Sequence, residues 1–211
     1  MNILSEQDTS YLEKYIFQDK LLKIMPSDFY KKIPQEHLTL LGHNHGIYGF
    51  PTEELIQWMS KTIGNNAIEI GAGRGSLGRA LKIPYTDSKL MEEPEVAAYY
   101  KMMGQPTTEY PKDVIKMEAL EAIDHYKPDI VIACWVTHKF CKEEAWREGS
   151  VYGVDEEILL RKVKKYILVG NDSVHGKKPI MERPHQSLSF PFLFSRSMKP
   201  ELNKIYIWEG L

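Results

Sequence analysis

Residues 67–78 constrain this chain most. They read Ala67-Ile68-Glu69-Ile70-Gly71-Ala72-Gly73-Arg74-Gly75-Ser76-Leu77-Gly78. A short apolar strand ends in an acid and alternating glycines, then enters a helix. A strand that turns so abruptly needs positive φ or the absence of Cβ bulk, and Gly71, Gly73 and Gly75 supply both. Such a bend lets backbone approach a nucleotide-like ligand, with the Glu69 carboxylate at the strand end. The spacing is G-x-G-x-G. The dinucleotide fingerprint needs a glycine where Ser76 stands.

The rest of the chain alternates in the same sense. Thr52 can cap a helix whose first turn holds Glu53 and Glu54 and whose apolar face is Leu55, Ile56, Met59 and Ile63. Strands are expected at 67–70, 83–86, 113–117, 129–135 and 166–170. Helices are expected at 76–81, 95–103 and 120–125, with another capped by Asp155. Segments 189–194 and 204–208 read as a closing antiparallel pair. Residues 1–25 have a helical period, and 37–50 read as a glycine-hinged loop. Alternation of this kind predicts a parallel sheet with helices on both faces. The expected architecture is α/β: seven strands, mostly parallel, the last antiparallel. With 211 residues the chain suits one domain, here an N-terminal helical or lid extension over 1–50 and a Rossmann-like core over 51–211.

A net charge of -2 gives no global attraction to nucleic acid or to an anionic membrane. Apolar runs such as 130–136 are too short to span a bilayer. The opening Met1-Asn2-Ile3-Leu4-Ser5-Glu6 lacks a basic region followed by an apolar stretch, so a cytoplasmic protein is expected. Two cysteines, Cys134 and Cys141, make neither a disulfide framework nor a zinc quartet.

The segment Glu69–Gly75, in its strand-to-helix context, resembles motif I of class I S-adenosylmethionine-dependent methyltransferases, in which the acid two residues before the first glycine belongs to the motif. The resemblance covers roughly residues 64–170. It implies S-adenosyl-L-methionine as cofactor, bound beyond the carboxyl ends of the strands. The implied cofactor residues are Glu69, Gly71, Ala72, Gly73 and Gly75 after the first strand, then Asp87 after the second. Glu118 and Ala119 follow the third, Cys134 and Trp135 the fourth. Asp87 would take the ribose hydroxyls, with Glu92 and Glu93 as alternatives. Glu118 would take the adenine amino group, and Ala119 would leave room for the base. Glu69 would order the glycine loop or reach the methionyl ammonium through water.

The acceptor side is less legible. Cys134-Trp135-Val136-Thr137-His138 lacks the proline pair of nucleobase amino methyltransferases, and neither cysteine adjoins proline as a cytosine C5 nucleophile would. His138 lies just past the fourth strand and is the catalytic candidate, a base at cytosolic pH. His43, His45 and Tyr48 are expected in a lid. Asp172, in Asn171-Asp172-Ser173 with His175, is expected in a substrate wall. The two histidines nominate no third ligand, so no metal is expected. From Arg161 to Lys204 ten Lys/Arg face three acids, compatible with an anionic partner, but no nucleic-acid-binding module accompanies them. The expected function is methyl transfer to a small molecule or a protein group; the alternative is a methyltransferase-like binding or scaffold protein without turnover.

Overall fold

A computed structural model describes residues 8–104 and 106–210. The N-terminal hexapeptide read for a leader lies outside the described residues. The chain opens with α1 (Ser10–Ile16), a hairpin of β1 (Phe17–Gln18) and β2 (Leu21–Leu22), then α2 (Ser27–Tyr30), α3 (Gln35–Asn44) and β3 (Gly49–Phe50). It continues through α4 (Glu53–Thr62), β4 (Ala67–Ile70), α5 (Ser76–Leu81), β5 (Thr86–Asp87), α6 (Pro94–Met102), β6 (Ile115–Lys116), α7 (Ala119–Tyr126) and β7 (Ile130–Cys134). The last third holds α8 (Glu156–Leu160), β8 (Lys165–Asn171), α9 (Asp172–His175), β9 (Gln186–Leu188), β10 (Phe194–Ser195) and β11 (Asn203–Glu209).

The seven-stranded, mostly parallel sheet is corrected by these elements. The main sheet has five strands in the order β4-β7-β8-β11-β9. β4, β7 and β8 are parallel, while β11 runs antiparallel to both β8 and β9, so the sheet is mixed. β5 and β6 form their own two-stranded parallel sheet. Pro84 lies inside the expected second strand, and proline has no N–H to give a ladder. What is left beside β4 is one bridge, Glu69 to Tyr85, with the Glu69 N–H donated to the Pro84 carbonyl at 2.9 Å.

The sheet buries both faces, as parallel strands rich in Ile and Val require. One face sets Ile68, Ile70, Val131 and Leu168 against Ala122 and Ile123 of α7 and Leu159 and Leu160 of α8. The other sets Ile132, Ile167 and Ile205 against Leu55 and Met59 of α4 and Leu77 of α5. Local signals shape the covering helices. Thr52 accepts the Leu55 N–H at 3.2 Å and starts α4; Asp155 accepts the Ile158 N–H at 3.0 Å and starts α8.

Two local expectations fail near the N-terminus. Among the described residues of the 1–25 segment, the helical period gives α1 alone before a hairpin, whose turn holds Asp19 and Lys20 at φ of 50° and 66°. The loop expected at 37–50 is helical as far as Asn44. Gly42 fits inside α3 because a Cβ there would lie 2.6 Å from both Arg196 and the Ile47 carbonyl. This N-terminal unit has its own cluster, including Leu12, Ile16, Tyr30, Leu38 and Leu41. Backbone pairing of β3 with β10 joins it to the C-terminal segment. The closing pair also shifts: β9 ends at Leu188, and Phe190 and Phe192 stack at 4.7 Å in the following loop. No helix among the described residues is long and apolar enough to cross a membrane.

A charged pair sits inside the core. Lys178, 1% exposed, donates to Glu156 Oε1 and Oε2 at 2.8 and 2.9 Å, and Tyr166 donates to the same carboxylate at 2.8 Å. Removing one partner strands the other charge, at a cost of about 3 kcal/mol or more. Lys178→Met is expected to lower the urea midpoint accordingly at neutral pH, and Lys178→Met with Glu156→Leu to recover part of the loss. An unchanged midpoint for the single variant would refute this.

Candidate functional site

The carboxyl ends of β4, β5, β6 and β7 converge on one cavity of about 250 Å³. Gly71 and Gly73 line it from the turn after β4. Asp87 and Ser88 follow β5; Met117, Glu118 and Ala119 follow β6; Trp135, Val136 and Thr137 follow β7. Tyr48 closes it from the N-terminal unit. The sequence therefore nominates seven residues that the fold brings together: Gly71, Gly73, Asp87, Glu118, Ala119, Trp135 and Tyr48.

The glycines do different work. Gly71, Gly73 and Gly75 all have positive φ, between 53° and 67°. A Cβ on Gly73 would meet only Thr108 Cγ2, at 3.7 Å, so the space above it is open. A Cβ on Gly75 would lie 2.9 Å from Tyr85 and from Val114. Gly75 thus packs α5 against its own protein and does not line the cavity. Glu69, Ala72 and Cys134 lie behind the bend, where Glu69 orders the glycine loop, one of its two expected roles. They line a smaller recess of about 70 Å³ behind the loop, not the main cavity.

From that recess Glu69 organises the bend. It is 1% exposed and accepts the Gly78 N–H at 2.7 Å, holding α5 to the strand end. Burial raises its pKa to about 8, against the opposing Gly78 hydrogen bond. Burial, and then Glu69, also push the Cys134 thiol up, which keeps it protonated and inert. Asp87 holds the loop from the cavity side. Its Oδ2 accepts the Gly73 N–H and its Oδ1 the Lys89 N–H, both at 2.8 Å. Burial raises the Asp87 pKa, and the two N–H donors oppose that rise. Of the alternatives to Asp87, Glu93 pairs with Lys116 at 2.8 Å, and neither Glu92 nor Glu93 lines the cavity.

Trp135 leaves β7 in a left-handed conformation, φ 61°. For a bulky residue this is an outlier that stores about 1–3 kcal/mol of strain. The Trp135 N–H still donates to the Val169 carbonyl at 2.9 Å. Its ring meets Tyr48 at 6.2 Å and His175 at 5.1 Å between centroids.

A second cavity, about 410 Å³, shares Tyr48, Trp135, Val136 and Thr137 with the first. His138 lines it, 8% exposed and beneath Gly149, with a pKa lowered first by burial and then by Lys178. His175 lines it too, whereas Asp172 lines neither cavity and instead accepts the Tyr206 hydroxyl at 2.5 Å. The substrate-wall expectation thus moves from Asp172 to His175, three residues along α9. Of the three lid candidates only Tyr48 lines the two cavities. His43 faces an outer groove with Lys101 and Pro106, and His45 pairs with Glu13 at 2.9 Å.

Two walls escape sequence reasoning. Leu90, Met91, Tyr100, Thr108 and Tyr110, from and around α6, cover the first cavity. Ser150, Tyr152, Gly153 and Val154 come from a loop after β7 that folds back to bridge His138. The only hint of either is aromatic residues in otherwise polar stretches. The two cavities differ in charge. Among the described lining residues, the first has Asp87 and Glu118 and no Lys, Arg or His; the second has Arg147, Lys178 and Arg196, and Glu148 as its one acid.

No protein-family model matches the chain, and no curated protein matches it either.

Glu69 generates a pH dependence with a definite sign. The folded protein keeps this proton up to about 8, whereas the unfolded chain releases it near 4.5. The stabilisation is fully present below the unfolded value and is lost as pH rises through the folded one. Denaturant titrations from pH 5 to 8.5 should show stability falling with pH, and Glu69→Gln should flatten that fall. Equal slopes in both proteins would refute the assignment.

Proposed function

We propose that this protein is an S-adenosylmethionine-dependent methyltransferase acting on a small molecule or an exposed protein group. The observation that carries the reading is the chemistry of the first cavity. It joins an open glycine backbone at Gly73 to two carboxylates, with no basic side chain in its described lining. A dinucleotide pyrophosphate would call for cations or a longer helix N-terminus than six-residue α5 offers. A cofactor of net positive charge, whose ribose and adenine donate hydrogen bonds, suits a described lining in which the only charged groups are carboxylates.

The chain's own residues divide the work. Each Asp87 oxygen already takes one backbone N–H and keeps a lone pair for a ribose hydroxyl. Glu118 and the small Ala119 face the same cavity and suit an adenine edge. Trp135 and Tyr48 stand at the boundary of both cavities, where they align the reactants and displace water. His138, kept neutral by burial, can take a proton from an acceptor in the second cavity. Bound S-adenosylmethionine supplies an activated methyl group, so a protonated acceptor is the one case that needs this base.

Titration calorimetry with S-adenosylmethionine and S-adenosylhomocysteine tests the cofactor. Saturable binding is expected in the native protein. Gly73→Val should weaken it about a hundredfold, since the branched side chain fills ligand space. The strain of its positive φ should cost about 1–2 kcal/mol of stability, leaving a folded protein by circular dichroism. No binding to the native protein, or unchanged affinity in folded Gly73→Val, would overturn the reading. Labelled-methyl transfer to fractionated cell extract then separates an enzyme from a binding protein without turnover.

A further inference from the structure

We infer that the second cavity takes a methyl acceptor bearing a carboxylate or phosphate, and that Arg196 holds its anionic group; this rests on the methyltransferase reading. The charges around the cavity cancel except at one side chain. Lys178 is neutralised by Glu156. Arg147 is engaged by Glu144 at 3.1 Å and by Glu182. Glu148 is held by Lys177 at 2.7 Å. Arg196 has no ion pair and no side-chain hydrogen bond among the described residues.

Arg196 is also preorganised. Its backbone N–H donates to the Tyr48 carbonyl at 3.0 Å, and its guanidinium carbon stands 3.7 Å over the Tyr48 ring. Stacking covers a face of the guanidinium and leaves its in-plane N–H donors, the fork that matches carboxylate or phosphate oxygens. A half-buried stacked cation without a counter-ion favours an anion there and disfavours an amine.

A second polar group lies on the same wall. His175 is 2% exposed, and its Nδ1 faces the Asn171 backbone, 2.9 Å from the amide nitrogen and 3.1 Å from the carbonyl oxygen. Burial lowers its pKa to about 3, so the ring stays neutral, and Nε2 is the donor in the tautomer whose Nδ1 accepts the Asn171 N–H. No partner for Nε2 occurs among the described residues. The cavity volume of about 410 Å³ suits a metabolite-sized molecule, and the shared Tyr48–Trp135 boundary brings it to the first cavity.

The test uses full-length protein loaded with S-adenosylhomocysteine and followed by NMR. Benzoate, phenyl phosphate and inorganic phosphate are titrated beside neutral benzamide and phenol. At least one anion should saturate and exceed its neutral analogue. Arg196→Gln should weaken that anion about tenfold or more, the loss expected for charge-assisted hydrogen bonds. Arg196→Lys should fall between, with charge but no fork, and S-adenosylhomocysteine affinity should stay within about twofold throughout. Three results would overturn the proposal: no anion saturating, neutral analogues binding as well, or Arg196→Gln binding like the native protein. Failure of S-adenosylhomocysteine to bind while anions still do so through Arg196 would remove the methyltransferase reading and leave the anion site. Cofactor binding without anion binding would do the reverse.

Discussion

A buried carboxyl group at the end of β4 sets the geometry of everything around it. Glu69 takes the Gly78 N–H and so fixes where α5 begins relative to the strand. Asp87 takes the Gly73 N–H from the opposite side. Between these two acceptors the chain passes three positive-φ glycines, and the two hydrogen bonds fix the path they take. Arg74 adds a third restraint, donating to the His45 carbonyl at 3.1 and 3.2 Å from a side chain that is itself buried. The N-terminal unit is thereby tied to the loop, which places Tyr48 over the cavities. Local chain geometry, helix placement and cavity closure all follow from hydrogen bonds to one bend.

Charge is then sorted between the two cavities. Acids without cations line the cavity under the glycine bend, and cations prevail in the adjoining one. The aromatic pair Tyr48 and Trp135 forms the partition, and Trp135 reaches it only by adopting a strained backbone conformation. Strain of this kind persists where surrounding packing over-determines the residue, here through its N–H bond to Val169 and its contact with His175. On the proposed reading, an acid-lined chamber and one whose unpaired charge among the described residues is Arg196, meeting at an aromatic partition, suit a cationic donor and an anionic acceptor.

Much of the site was legible in the chain because strand ends are legible. A run such as Ile130–Cys134 announces itself by apolar β-branched residues, and whatever follows it must lie at the sheet's carboxyl edge. That logic located Asp87, Glu118, Ala119 and Trp135 without any tertiary information. It could not separate the front of the bend from its back. Gly73 and Gly75 are equivalent in sequence, yet Tyr85 and Val114 close the space at one and leave the other open. It also overcounted the sheet, because hydrogen-bond pairing at Pro84 depends on which neighbour is present and which N–H is missing.

The sequence by itself determined the strand–glycine–helix bend, the apolar strands that bury on both faces, and the caps at Thr52 and Asp155, since each rests on contacts within a few residues. Tertiary structure alone decided the five-stranded mixed sheet, the two chambers and the isolation of Arg196. Those depend on residues far apart in the chain, such as Tyr48 and Arg196 or Lys178 and Glu156, whose proximity no local pattern encodes.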